Sequence, residues 1–151
     1  MENEFGVWRN SRRLMLQFLD NYTLDQLNKV PEGFNNNLIW NIAHVVVSQQ
    51  LLVHKLAGHE VMVSDEMIAA YRKGTKPTRD VTEEEVAQIK ALLFSTIDKT
   101  IADYNAGAFT TFHEYTSEFG FTMKSVEDAI AFNNFHEDTH LGMMIGLRRF
   151  L

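Results

Sequence analysis

Two histidines, His136 and His140, stand four residues apart near the end of this 151-residue chain, and a third, His44, lies in its first third. If residues around 136 to 140 are helical, the i, i+4 spacing stacks the two Cβ atoms on one face, roughly 5 to 6 Å apart, from where two imidazoles can meet one metal ion. The stripe that carries them also carries Ile130, Asn133, Met143, Met144, Leu147 and Leu151, so it reads as the inward face and turns both rings into the protein. His44 sits one helical turn from Trp40 and Ser48, with Val47 and Leu51 continuing that face. Three imidazoles buried separately would each need a hydrogen-bond partner and each lose solvation, whereas one shared divalent ion satisfies all three. Three neutral ligands leave a coordination position for water or substrate, the arrangement of a catalytic site.

The other three histidines fit no such site. His54 is ten residues beyond His44, about 80° around a helix and roughly 15 Å along it, which predicts a polar or interfacial position. His59 follows Gly58 in a turn and His113 lies in a segment without clear period, so both are expected to be solvated. Residues 136 to 140, His-Glu-Asp-Thr-His, match the H-E-x-x-H pattern of zinc proteases. That reading is set aside, because the tail after His140 holds no His, Glu or Asp to serve as a third ligand downstream. Glu137, about 100° around the helix from its neighbour, is expected to be a solvated carboxylate or one that orients a ligand, and is the candidate for any acid/base role. Trp40 and Asn133, each within a turn of a ligand, are candidates to line the pocket or support the ligands.

Stepping outward from these residues, hydrophobic periodicity predicts helices nearly throughout. Phe5, Trp8, Met15 and Leu19 share one face of a first helix over residues 4 to 20. Residues 21 to 37, with Pro31, Gly33 and three consecutive Asn, form a connection that includes one helical turn started by the capping box Thr23-Leu-Asp-Gln26. Asn37 caps a second helix that runs from Leu38 to Ala57 and stops at Gly58. A short helix follows between Ser64 and Lys73, then an exposed loop from Gly74 to Asp80. Thr82-Glu-Glu-Glu85 caps a third long helix to about Asn105, residues 108 to 124 show no period, and Ser125 caps a last helix to the C-terminus. Four main helices with long first and third connections predict an all-α four-helix bundle, in which sites are built from side chains on facing helices.

Composition limits the function. The length and 45% hydrophobic content suit one domain, residues 1–151, with a real core. A net charge of −6 opposes a protein whose work is neutralising phosphates, so no nucleic acid partner is expected. No run approaches the roughly 20 apolar residues of a membrane span, and the acidic start Met-Glu-Asn-Glu is unlike a signal peptide, so no membrane is expected and the cytoplasm is the expected compartment. Without Cys there is no disulfide and no thiolate of the protein's own, so any metal rests on His, Asp or Glu.

Trp40-Asn-Ile-Ala-His44 early in a long second helix, His136-Glu-Asp-Thr-His140-Leu-Gly, and Leu147-Arg-Arg near the C-terminus together resemble the DinB/YfiT-like family of metalloenzymes over essentially the whole chain. The resemblance implies an up-down-down-up four-helix bundle, commonly a homodimer, with His44, His136 and His140 around zinc or nickel. It implies a small-molecule substrate and transfer or isomerisation with a low-molecular-weight thiol, which a chain without Cys must take from a cofactor. A metal-dependent hydrolase is the alternative enzyme, and a non-catalytic metal-binding stress-response protein the alternative of another class. The family's name refers to induction by DNA damage, which describes regulation and not DNA binding.

Overall fold

Side-chain caps set where the helices begin. Thr23, Asn37, Ser64, Thr82 and Ser125 each accept a hydrogen bond from a backbone N–H three residues on, satisfying a donor that the first helical turn leaves free. At Thr23 and Thr82 the third residue, Gln26 or Glu85, also reaches back to the cap's own N–H. The computed structural model describes all of residues 1–151: α1 (Glu2–Asn21), α2 (Leu24–Asn28), α3 (Leu38–Gln49), α4 (Asp65–Tyr71), α5 (Glu83–Asn105) and α6 (Val126–Leu147). The fold is all-α apart from one small hairpin, and no helix is long and apolar enough to cross a membrane.

The four long helices pack as alternate neighbours, α1 against α5 and α6, and α3 against the same two. α3 is the central element: of its twelve residues only Ser48 is not fully buried. Its Leu38, Ile42 and Val46 form the larger core cluster with Met15 and Phe18 of α1, Leu93 of α5, and Met144 and Leu147 of α6. A smaller cluster at the other end holds Phe5, Trp8, Val53, Ile97 and Ile130. Arg12 lies along α1 between Trp8 of the one cluster and Met15 of the other, fully buried.

Three sequence expectations change. The second helix does not continue as an α-helix to Ala57; from Gln50 to Lys55 it widens into a π-helix, with i→i−5 bonds continuing from Leu56 to Leu51 and from His59 to His54. The wider turn rotates the side chains that follow, and His54, expected on a polar face, is buried beside Gln49 and Gln50. Gly58 then takes φ +76°, the left-handed conformation that ends such a run without strain. Second, residues 108–124, which had no period to read, contain a two-residue antiparallel pair, β1 (Tyr115–Thr116) and β2 (Thr122–Met123), turning through Gly120 at φ +79°. Third, the innermost line of α6 keeps Ile130, Asn133, Met144 and Leu147 of the predicted stripe but passes between them through Glu137 and Leu141, where His136 and His140 were expected. Met143 is therefore exposed, and His136 and His140 sit at the edge of the buried face, half-buried.

Candidate metal centre

His44 comes from the buried middle of α3, and His136 and His140 from successive turns of α6, which packs against it. One ring nitrogen from each lies within 4.8 Å of the others, and ring centroids are 4.6 to 5.2 Å apart. The three residues that spacing singled out are thus brought together, while His54, His59 and His113 are elsewhere: His54 buried, His59 half-buried with Nε2 donating to the Ala108 carbonyl, and His113 exposed.

The far sides of two rings are fixed. His44 Nδ1 donates to the Tyr71 carbonyl at 2.7 Å, and His140 Nδ1 donates to Asn41 Oδ1 at 2.7 Å. Each bond assigns the proton to Nδ1 and leaves Nε2 as a lone-pair donor, the usual way a metal-binding imidazole is oriented. His44 Nε2 faces His136 Nε2 at 3.3 Å, and His136 Nδ1 is buried with no partner. Bonds of about 2.0 to 2.1 Å at tetrahedral angles separate two nitrogen ligands by about 3.3 to 3.4 Å, so the residues fit a divalent ion. Trp40 stacks on His44 with centroids 4.7 Å apart and planes 9° apart, and its indole N–H donates to Thr75, which closes one side of the ring.

All three rings are held below their ordinary range, His136 and His140 far below it. Burial lowers the His44 pKa, holds His136 at about 4 with help from His44 and Arg12, and holds His140 at about 3 with help from the other two rings. At neutral pH the cluster is a set of uncharged nitrogen donors.

Glu137 behaves otherwise than expected of a solvated or ligand-orienting carboxylate. It is fully buried, accepts from Arg12 Nε at 2.6 Å and Nη2 at 2.7 Å, and also accepts from Trp8 Nε1 at 2.9 Å. Asn133 gives its amide to the same carboxylate at 2.8 Å rather than to a histidine. Neither residue lines the cleft over the histidines. The physical reason is the inward place of Glu137 on α6: it faces α1, where Arg12 waits, and spacing within α6 carries no sign of a partner 125 positions away.

That cleft, about 420 Å³, opens between α3, α6 and the hairpin, with Ser48, Leu51 and Leu52 on one side and Phe119, Phe132 and Met143 on the other. Asn41 and Tyr71 were not singled out from sequence. Asn41 does carry a signal, a polar side chain in a helix otherwise apolar on every face. Tyr71 contributes only its carbonyl, which no side-chain pattern marks.

Among solved structures, one described as the conserved protein of locus from Enterococcus faecalis is similar over 99% of this chain and 95% of that one, with a TM-score of 0.62 and 14% identity, a likeness of fold alone. No curated protein matches the chain. The family model described as the DinB superfamily matches residues 8–144, from Trp8 through all three clustered histidines, and the chain belongs to that superfamily.

Proposed function

We propose that the protein binds one divalent metal ion, zinc or nickel, through Nε2 of His44, His136 and His140, and acts with it as an enzyme that transfers a low-molecular-weight thiol to a small molecule. The observation that carries this reading is the pair of fixed tautomers: Tyr71 and Asn41 hold two rings with lone pairs aimed inward, beside His136, whose Nε2 meets His44 Nε2 at 3.3 Å. When bound, the ion would supply Lewis acidity and lower the pKa of a thiol, which the chain, lacking Cys, does not itself contain. The protein's part is positioning. Trp40 holds the His44 ring plane, Asn41 holds His140, and the Ser48 hydroxyl, 3.3 Å from His44 Nε2, is placed to hydrogen-bond a molecule entering the cleft.

We read the chain as one domain over residues 1–151, with its four long helices in up-down-down-up order, working in the cytoplasm as a homodimer. Support for association comes from Met143, Ile145 and Phe150, apolar side chains exposed at the C-terminal end of α6. Monomeric mass by light scattering at micromolar concentration would remove the dimer.

Elemental analysis of protein purified without chelator tests the site, with one equivalent of metal expected. For the reaction, a thiol added to cobalt-substituted protein should produce a new sulfur-to-cobalt band in the visible spectrum. Metal without any response to thiol would move the reading to a hydrolase or to a non-catalytic metal-binding protein.

A further inference from the structure

We infer that the molecule this cleft accepts is elongated, with an uncharged aryl or alkyl body seated on a wall of phenylalanines that leads from His136 to the surface. The inference rests on the metal reading above only for which end of the molecule meets the histidines.

Charge is the first argument. The cleft's volume suits a small organic molecule, and its charged lining groups are Lys73 and Glu118, exposed at the mouth and joined to each other at 2.6 Å. An anionic group carried away from the histidines, along the wall, would need an unpaired cation there, since a charge moved out of water without a partner is strongly disfavoured. The buried guanidinium of Arg12 cannot serve, because Glu137 already binds it. The remaining polar lining, Ser48, Ser117 and Thr139 among it, offers neutral hydrogen bonds.

The wall is the second. Phe132 lies beside the His136 ring, centroids 6.3 Å apart, and stacks on Phe121 at 5.5 Å. Phe135 meets Phe132 and Phe119, each at 6.0 Å. Phe119, Phe121 and Phe135 are 65%, 44% and 55% exposed, an aromatic surface left to water beside the site. They line an apolar hollow of about 370 Å³ that shares Phe119 and Phe132 with the histidine cleft. A molecule anchored near His136 and longer than the cleft is deep passes onto this surface.

Two dyes with the same aryl body and different charge test the wall on metal-free protein. N-phenyl-1-naphthylamine, which is neutral, should bind with a rise in fluorescence and about tenfold tighter than 8-anilinonaphthalene-1-sulfonate. Phe119→Ser and Phe135→Ser should each weaken the neutral dye by about tenfold, the loss of half a buried ring, while Val7→Ser, an exposed apolar side chain on α1, should not. Equal affinity for both dyes, or indifference to the two wall variants, overturns the inference. On cobalt-loaded protein, straight-chain thiols from two to eight carbons should tighten by about fourfold per methylene, with 2-mercaptoethanesulfonate the weakest. Thiols that bind cobalt without regard to chain length overturn the wall and leave the metal site standing. Selective dye binding with a cobalt spectrum that no thiol alters leaves the wall standing and removes the thiol reading.

Discussion

Consecutive residues of α6 lead into two polar clusters of opposite character. Glu137 enters one in which both carboxylate oxygens are used: Arg12, Trp8 and Asn133 donate to it, and Arg12 gives two further N–H groups to the carbonyls of Leu93 and Val45. This cluster joins α1, α3, α5 and α6 and touches no solvent. His136 enters the other, in which nitrogen lone pairs face each other and Nδ1 has no partner, at the floor of an open cleft. Burial and unusual residue type mark both clusters. Each leaves one buried atom unpaired, Asn133 Oδ1 in the first and His136 Nδ1 in the second; what separates them is a carboxylate matched by its guanidinium in the one and nitrogen lone pairs converging beside an open cleft in the other.

The sharpest way to break the comparison is to open the closed cluster. Arg12→Leu leaves the Glu137 carboxylate buried without its cation and should cost about 3 to 5 kcal/mol in urea denaturation. The double variant Arg12→Leu, Glu137→Leu should recover most of that, because the cost comes from the unpaired charge. A single variant within about 1 kcal/mol of wild type would mean that Glu137 is neutral or hydrated, and that the two clusters are less different than drawn.

Next in size is the loss of a donor from the open cluster. His44→Ala, His136→Ala and His140→Ala should each weaken zinc and nickel binding by more than about 100-fold in calorimetric titration, beyond the cost of removing a group that only orients a ligand. His54→Ala, His59→Ala and His113→Ala should bind as wild type does. His54→Ala should nonetheless lower stability by about 1 to 3 kcal/mol, since its ring is buried against Gln49 and Gln50, whose amides would lose a partner. Equal metal binding by wild type and the three ligand variants would remove the site.

The contrast between the clusters also marks what could be read from sequence. Caps were legible at Thr23, Asn37, Thr82 and Ser125 because donor and acceptor are three residues apart. The His136 and His140 pair was legible for the same reason. The exact inner line of α6 was not: a carboxylate counts as outward in any hydrophobic pattern, and only Arg12, far away in sequence, makes Glu137 an inward residue. Nor was the π-helix, because Gln50 to Lys55 contains no Gly or Pro, and widening by one residue per turn leaves no mark in composition. His54 was misplaced by that turn alone.

Acid should act on the open cluster before metal is considered. An unfolded histidine has a pKa of about 6.5, while His136 and His140 are held at about 4 and about 3 and His44 is lowered as well. Between those limits the unfolded chain binds more protons than the folded one, so stability rises with pH and is lost as pH falls below 6.5. From pH 7 to pH 5 the metal-free protein should lose about 2 kcal/mol for each of the two rings, readable as a lower denaturation midpoint. His136 and His140 of the folded protein stay neutral over that same interval and His44 is lowered too, so metal affinity should begin to fall at a lower pH than an unperturbed histidine would predict. A folded protein that releases metal at pH 6 would show that the rings are less buried than the structure places them.

The smallest effect concerns one hydrogen bond that completes the open cluster from behind. Asn41 is fully buried and its amide group donates to Asn36 Oδ1 at 3.0 Å and to the Asn37 carbonyl at 2.7 Å, so its oxygen is the end turned toward His140. That oxygen can only accept, which obliges His140 to carry its proton on Nδ1 and to present Nε2. In Asn41→Leu the volume is nearly kept but the acceptor is gone, and His140 becomes free to rotate or to adopt the other tautomer. Zinc affinity should fall by about tenfold, or about 1.4 kcal/mol, with stoichiometry still one. Asn41→Asp separates this from a packing defect: one oxygen still accepts from Nδ1 and favours the protonated ring, so zinc affinity should recover near neutral pH, with a loss of stability because the other oxygen faces the Asn36 and Asn37 acceptors. It should also raise the His140 pKa above about 3, so that its metal release begins at a higher pH than in wild type. Asn41→Leu that binds zinc as tightly as wild type, with Asn41→Asp no different in pH profile, would mean that His140 is oriented by the cleft alone.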